Sequence, residues 1–83
     1  NMLNYETGAL VKSLAGHDRG RLYIIIEETE DSLFLTDGRL RPMEKPKRKK
    51  KKHVQVILKK IEDEEFTDEN IRTFIKKYQS EIM

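Results

Sequence analysis

The fold is decided by residues 8–38, GALVKSLAGHDRGRLYIIIEETEDSLFLTDG. Residues 9–14 and 32–36 are short runs that favour strands. Residues 21–28 have the β-branched and aromatic enrichment of a central strand that is apolar on both faces. The glycines that bracket residues 16–20 adopt positive φ angles at little cost, which predicts a turn between the first two strands. This stretch therefore predicts three successive strands.

Two more strands are predicted downstream. Asp37 and Gly38 are the strongest short hairpin signal in the chain, because a two-residue type I′ turn requires positive φ at both central positions. Residues 39–43 would then form a brief fourth strand, which Pro42 confines to a sheet edge because it lacks an N–H group. Residues 53–58, HVQVIL, alternate well enough to predict a fifth strand.

A single helix is predicted over residues 68–82. Thr67 is placed to cap it, and acidic residues follow in the first turn, where the helix dipole favours negative charge. Apolar residues recur at three- and four-residue steps and form one stripe: Ile71, Phe74, Ile75, Tyr78 and Ile82. Five short strands joined by tight turns predict a small twisted barrel, and we expect the helix to bury its stripe over an open end of that barrel.

The basic residues are concentrated in the middle of the chain. The formal net charge of the 83 residues is only +2, but residues 39–60 carry eleven basic side chains and one acidic one, and the segments on either side are acidic. The densest part, residues 45–52 with the sequence KPKRKKKK, is expected to be an extended, solvated loop because like charges repel. Such asymmetry indicates a polyanionic partner, either nucleic acid or a membrane surface.

Two segments resemble a known family. Residues 8–38, with their GHDRG turn and the apolar strand that begins RLY, resemble the KOW motif. Residues 45–55, KPKRKKKKHVQ, are similar to the basic stretch and Lys-His strand of a narrower group. That group is the bacterial KOW-domain RNA-binding proteins related to the archaeal and eukaryotic large-subunit ribosomal proteins L-fourteen-e and L-twenty-seven-e. The resemblance implies an SH3-like barrel that binds RNA.

We accordingly expect a mainly β fold, a small SH3-like barrel of about five strands with one C-terminal α-helix. Residues 1–61 would form the barrel, including the basic loop at 45–52. Residues 62–83 would form an acidic linker and the amphipathic helix, within the same single domain.

These features together predict a non-enzymatic RNA-binding protein of cytoplasmic translation, bound to ribosomal RNA or associated with the ribosome. Lysine and arginine displace condensed counterions from phosphates, so basic residues supply the expected contacts. The candidate RNA-binding residues are Lys12, His17, Arg19, Arg21, Arg39, Arg41, Lys45, Lys47, Arg48, Lys49, Lys50, Lys51, Lys52 and His53. Two alternatives stay open. The basic run is a solvated loop that binds polyanions only adventitiously, or the barrel is a protein–protein interaction module that docks on the transcription or translation machinery.

The aromatic and acidic residues give further expectations. Phe34, Phe74 and Tyr78 are expected in the core, whereas Tyr5 and Tyr23 are candidates for exposure, where a ring could stack on a base. The acidic residues 62–65 have two interpretations. They form a solvated linker, or they fold against the lysine run and weaken non-specific binding.

Composition excludes several classes of site. The sequence has no cysteine and only two histidines, so disulfides, thiol chemistry, a zinc site and any cofactor are not expected. No phosphate-cradling GxxxxGK[ST] motif is present, and the serines have no persuasive His and Asp companions, so we expect no enzyme. The longest apolar run, residues 22–26, is far short of the roughly 20 residues that cross a bilayer, so no membrane span is expected. An adaptor on an anionic membrane would suit the lysines, but no amphipathic basic helix or lipidation signal accompanies them, so no membrane partner is expected.

Overall fold

The described part of the chain forms one antiparallel sheet and one helix. The structure, a computed structural model, describes residues 5–62 and 64–82. Its elements are β1 (Ala9–Ser13), β2 (Leu22–Glu28), β3 (Ser32–Thr36), β4 (Lys47–Lys50), a 3₁₀ turn (Lys51–His53), β5 (Val54–Lys60) and α1 (Asp68–Glu81). The predicted class, mainly β with about five strands and one C-terminal helix, is confirmed. No helix within the described part of the chain is long and apolar enough to span a bilayer.

The sheet curls into an open barrel because of its strand order, β4-β3-β2-β1-β5. Laid flat, four strand spacings would separate β4 from β5 by about 19 Å. The chain from Lys50 to Val54 spans at most about 14 Å, and part of it is a 3₁₀ turn, so the two edge strands must approach each other. β4 and β5 are not paired in the described sheet, so the barrel is not closed.

Both faces of β1 and β2 are buried, which explains the uninterrupted apolar run of β2. The inner face holds one core cluster: Ala9, Val11, Tyr23, Ile25, Leu33, Leu35 and Val54. The outer face holds a second cluster that the helix completes: Leu10, Leu22, Ile24, Ile61, Ile71 and Ile75. The helix therefore packs on the outer face of β1 and β2, and the expectation that it covers an open end of the barrel is wrong.

The start of α1 is fixed by the hydrogen bonds that the sequence predicts and by contacts to a distant loop. Thr67 caps the helix, because its Oγ1 accepts a hydrogen bond of 3.0 Å from the Asn70 N–H. The Asp68 carboxylate accepts from the Met43 N–H at 2.8 Å, and Arg72 donates to the Gly38 carbonyl at 2.8 Å. These two contacts attach the first turns of α1 to the loop between β3 and β4.

The predicted fourth strand at residues 39–43 is wrong, and so is the two-residue hairpin at Asp37 and Gly38. Asp37 forms a local turn instead, because its Oδ1 accepts from the N–H groups of Arg39 and Arg41, at 2.9 Å each. Gly38 has a φ of 75°, and a Cβ added to it would collide with the carbonyl oxygen of Asp68. Glycine is therefore required there for the close approach of the helix as well as for its backbone conformation.

Candidate nucleic-acid interface

The basic run is part of the sheet, so the expectation that residues 45–52 form a solvated loop is wrong. Residues 47–50, KRKK, are β4 and pair with β3 in the register Leu35↔Lys47, Leu33↔Lys49, Phe34↔Arg48 and Ser32↔Lys50. Backbone hydrogen bonds to β3 and side-chain contacts to acidic residues elsewhere offset the repulsion between neighbouring cations. Because side chains alternate along a strand, the pairing sends the basic groups to opposite faces.

Lys47 and Lys49 point to the inner face, opposite the buried Leu35 and Leu33. Both make an ion pair with Asp18: the Nζ–Oδ distances are 3.1 Å for Lys47 and 3.0 Å for Lys49. Lys49 also donates to the Ala15 carbonyl at 2.9 Å. These contacts connect the turn between β1 and β2 to β4.

Asp18 is the buried centre of this cluster, with 6% of its surface exposed. Its carboxylate also accepts hydrogen bonds from the hydroxyls of Ser13, at 2.8 Å, and Tyr23, at 3.3 Å. Burial alone would raise the pKa of Asp18, but the hydrogen bonds from Lys49, Ser13 and Lys47 outweigh it and hold that pKa well below its ordinary value. The carboxylate is therefore charged at neutral pH and neutralises part of the lysine run.

Lys51 is held in the same way by a second acidic segment. Its Nζ lies 2.6 Å from the Glu28 carboxylate and 3.0 Å from the Glu30 carbonyl oxygen, and 5.1 Å from the centre of the Tyr5 ring. With Lys47 and Lys49, it makes a set of three lysines whose charges are engaged within the fold. These three candidate residues are consequently less available to a ligand than the sequence alone indicates.

The remaining cations of the run are exposed, and we call them the outer row: Lys45, Arg48, Lys50 and Lys52. None of the four makes an ion pair with a carboxylate among residues 5–62 and 64–82. Arg48 and Lys50 project from the outer face of β4, since the residues beside them point inward. The structure thus leaves an uncompensated set of positive charges along one edge of the sheet.

Phe34 lies beside this row, and the expectation that it belongs to the core is wrong. It is directly opposite Arg48, is partly exposed, and belongs to neither core cluster. The signal was present in β3, where Phe34 alternates with the buried Leu33 and Leu35. Tyr23, which the sequence left as a candidate for exposure, is buried, because its ring packs in the inner core.

The turn between β1 and β2 contributes two more exposed candidates, His17 and Arg19. Their neighbour Asp18 binds Lys47 and Lys49, so this turn and β4 lie together. His53 is partly buried at the end of the 3₁₀ turn, and its carbonyl accepts from the Leu14 N–H at 2.8 Å. The turn and the basic run are therefore neighbours in the fold.

Four other candidates lie elsewhere. Lys12 is exposed on β1, opposite Leu22 and Gln55 of the neighbouring strands. Arg41 is exposed in the loop between β3 and β4. Arg21 and Arg39 line a cleft against α1, so they form a second group of cations, apart from the outer row.

The described residues of the acidic linker form no ion pair with the lysine run. Glu62, Glu64 and Glu65 are exposed, and within the described residues none of them forms an ion pair with residues 45–52; Asp63 lies outside those residues. The intramolecular partners of the lysines are Asp18 and Glu28 instead. No protein-family model matches the chain, and a search of curated proteins finds no match either. The function must therefore be inferred from the chain's own contacts and charges.

Proposed function

We propose that the chain is an RNA-binding protein, bound to ribosomal RNA or associated with the ribosome, which contacts phosphates through the outer row. The observation that carries the proposal is the alternation in β4. Acidic residues hold Lys47, Lys49 and Lys51 within the fold, and the cations between and beside them are left exposed. Exposed cations without carboxylate partners favour a polyanion, whose counterions they displace.

Phe34 adds an aromatic surface to this positive edge. A partly exposed ring next to an arginine suits an unpaired base, because bases stack on aromatic faces and on guanidinium planes. This combination favours single-stranded or looped RNA over a regular duplex. The resemblance of residues 8–38 to the KOW motif supports RNA as the polyanion, and the exposed His17 and Arg19 lie in the turn that carries this resemblance.

The dependence of RNA binding on salt tests the proposal. Four phosphate contacts to a single strand give a slope of log K against log[salt] of about −3, from roughly −0.7 per contact. A variant with Arg48→Gln and Lys50→Gln loses two phosphate contacts. Its slope of log K against log[salt] is therefore expected to be about −1.5, and it should bind RNA more weakly at low salt. Fluorescence anisotropy with a labelled single-stranded RNA measures both slopes.

A matched control removes two positive charges elsewhere. Lys59 and Lys77 are exposed and lie outside the outer row, so the variant with Lys59→Gln and Lys77→Gln has the same net charge as the test variant. It is expected to keep the slope of the unmodified protein. If both double variants lose affinity equally, binding reflects only the overall charge, and the outer row is not the site.

A second candidate function, a protein-interaction module, is favoured by one observation. Leu58 is 90% exposed on β5, which is the free edge strand opposite β4 in the strand order. An exposed apolar side chain on an open sheet edge suits the addition of a strand from a partner. A partner that stays bound at high salt to the Arg48→Gln, Lys50→Gln variant, and is lost with Leu58→Ser, would favour this function over RNA binding.

A further inference from the structure

A cleft of about 540 Å³ lies beside the contact between α1 and the sheet, and none of its lining residues belongs to the outer row. It is built by three segments of the chain: the start of β2, the loop after β3, and one side of α1. Its lining residues are Arg21, Leu22, Asp37, Arg39, Arg72, Thr73, Ile75, Lys76 and Gln79. Its volume falls in the range of small-molecule binding sites.

The cleft is strongly cationic, because Arg21, Arg39, Arg72 and Lys76 line it against a single carboxylate. That carboxylate is Asp37, whose Oδ1 accepts hydrogen bonds from the backbone N–H groups of Arg39 and Arg41, so one negative charge faces four positive ones. None of the four cations forms an ion pair within the described ranges 5–62 and 64–82. Four like charges around one cavity repel each other, so an anion bound among them would be favoured.

The types of side chain that line the cleft indicate which class of anion it would bind. Three of the four cations are arginines, whose planar guanidinium binds a phosphate through two hydrogen bonds and also stacks on flat rings. Arg72 is held in place by its hydrogen bond to the Gly38 carbonyl. Beneath the cations, Leu22 and Ile75 are buried and present an apolar floor, and Thr73 and Gln79 add hydrogen-bonding groups.

We propose that this cleft binds a phosphate-bearing nucleotide, with the phosphate among the cations and the base against the Leu22–Ile75 floor. An inorganic anion alone would leave the apolar floor unused, and a nucleoside alone would leave the charges unpaired. The nucleotide is either free in solution or one unit of an RNA strand, and the chemistry of recognition is the same. This goes beyond the contact at the outer row, since it assigns a separate site that either source can fill.

The test uses adenosine monophosphate as the probe, with adenosine and inorganic phosphate as its two halves, in ¹H–¹⁵N NMR titrations of the whole chain. The monophosphate is expected to shift amides of residues 21–22, 37–39 and 72–79, and to bind about tenfold or more tightly than either half. Replacing Arg39→Gln and Lys76→Gln is expected to weaken it about tenfold. Neither side chain forms a hydrogen bond or ion pair among the described residues, so the fold should be retained.

The Lys59→Gln, Lys77→Gln variant, with the same loss of charge, is the control and is expected to bind the monophosphate normally. A short 5′-phosphorylated single-stranded RNA then distinguishes the two sources. If it displaces the monophosphate, the cleft takes a unit of the strand, and if both bind together, the cleft takes the free nucleotide. The proposal is overturned if the monophosphate binds no better than phosphate, or if its shifts lie on β4. The salt dependence of RNA binding tests the outer row separately, so the outcome of that test does not depend on whether the monophosphate binds in the cleft.

Discussion

A single carboxylate, Asp18, neutralises the inward-facing lysines of the basic run. It lies in the turn between β1 and β2, and it makes ion pairs with Lys47 and Lys49. The register with β3 sends these two lysines inward, and Arg48 and Lys50 face outward because strand side chains alternate. Strand pairing thus divides the cations between two faces, and Asp18 compensates only those on the inner face.

Replacing Asp18→Asn is expected to cost about 3 kcal/mol of folding stability at neutral pH, because it leaves a largely buried lysine ammonium without its partner. It should also change the response to acid. The pKa of Asp18 is lower in the folded chain than in the unfolded chain, so the unfolded state takes up a proton first as pH falls below about 4. The unmodified protein therefore loses stability there, and thermal melting between pH 5 and pH 2 should show a smaller loss in the variant.

Glu64→Gln is the matched control for this prediction. It also removes one carboxylate, but Glu64 is exposed and makes no ion pair with a described residue. The control should keep both the stability and the acid response of the unmodified protein. An Asp18→Asn variant that melts like this control would show that the buried cluster does not stabilise the fold.

Single side chains show where sequence patterns stop being informative. Alternation in β3 could have placed Phe34 on the outer face, but an apolar residue in a strand is usually assigned to the core. Tyr23 belongs to a strand that is buried on both faces, and its hydroxyl is satisfied by Asp18. Nothing local in the sequence indicates that partner, since the bond depends on how the turn folds back.

Among the elements, β4 departs most from expectation. Residues 47–50 have poor intrinsic strand propensity and repel one another, which favours a loop. Pairing with β3 and the ion pairs of Lys47 and Lys49 with Asp18 override that preference, and these partners are distant in the sequence. By contrast, β3 and the start of α1 were predicted to the residue, because alternation and the Thr67 cap are local signals.

The attachment of α1 depends on Gly38, and this gives a prediction at the level of the element. Gly38→Ala places a Cβ against the Asp68 carbonyl, so the first turn of α1 must move away from the loop. The cost should combine about 1 kcal/mol of backbone strain at positive φ with the loss of helix packing, for a total above about 2 kcal/mol in urea unfolding.

Gly20→Ala separates these two contributions. Gly20 has a φ of 89°, similar to that of Gly38, but nothing lies within 4 Å of a Cβ added there. Only the backbone strain of about 1 kcal/mol is therefore expected. Equal losses of stability in the two alanine variants would mean that the contact between Gly38 and α1 contributes nothing.

At the scale of the whole molecule, one hydrogen-bonded cluster limits stability at both ends of the pH range. Burial, and next the charge of Asp18, raise the pKa of Tyr23 to about 12. An unfolded tyrosine ionises near pH 10, so between about pH 10 and 12 the unfolded state loses a proton that the folded state keeps. Stability should therefore fall as pH rises through this range.

Tyr23→Phe should reduce that alkaline loss, because phenylalanine has no proton to lose. Tyr78→Phe removes a hydroxyl from α1 instead and retains the buried Tyr23, so it should show the full alkaline loss. Lysine deprotonation affects both variants alike. Urea unfolding at pH 8, 10 and 11.5 measures the difference, and parallel decreases in the two variants would contradict the assignment to Tyr23.

The position of β4 at the end of the strand order has a consequence for self-association. Its outer edge carries backbone N–H and C=O groups that no strand within residues 5–62 and 64–82 covers, and such an edge tends to recruit a strand from another molecule. Exposed cations oppose this, because two copies meeting there would bring like charges together. Selection on Arg48 and Lys50 would then act through solubility as well as through the proposed contact with RNA. A descendant without that proposed contact would still not be free to make this edge apolar.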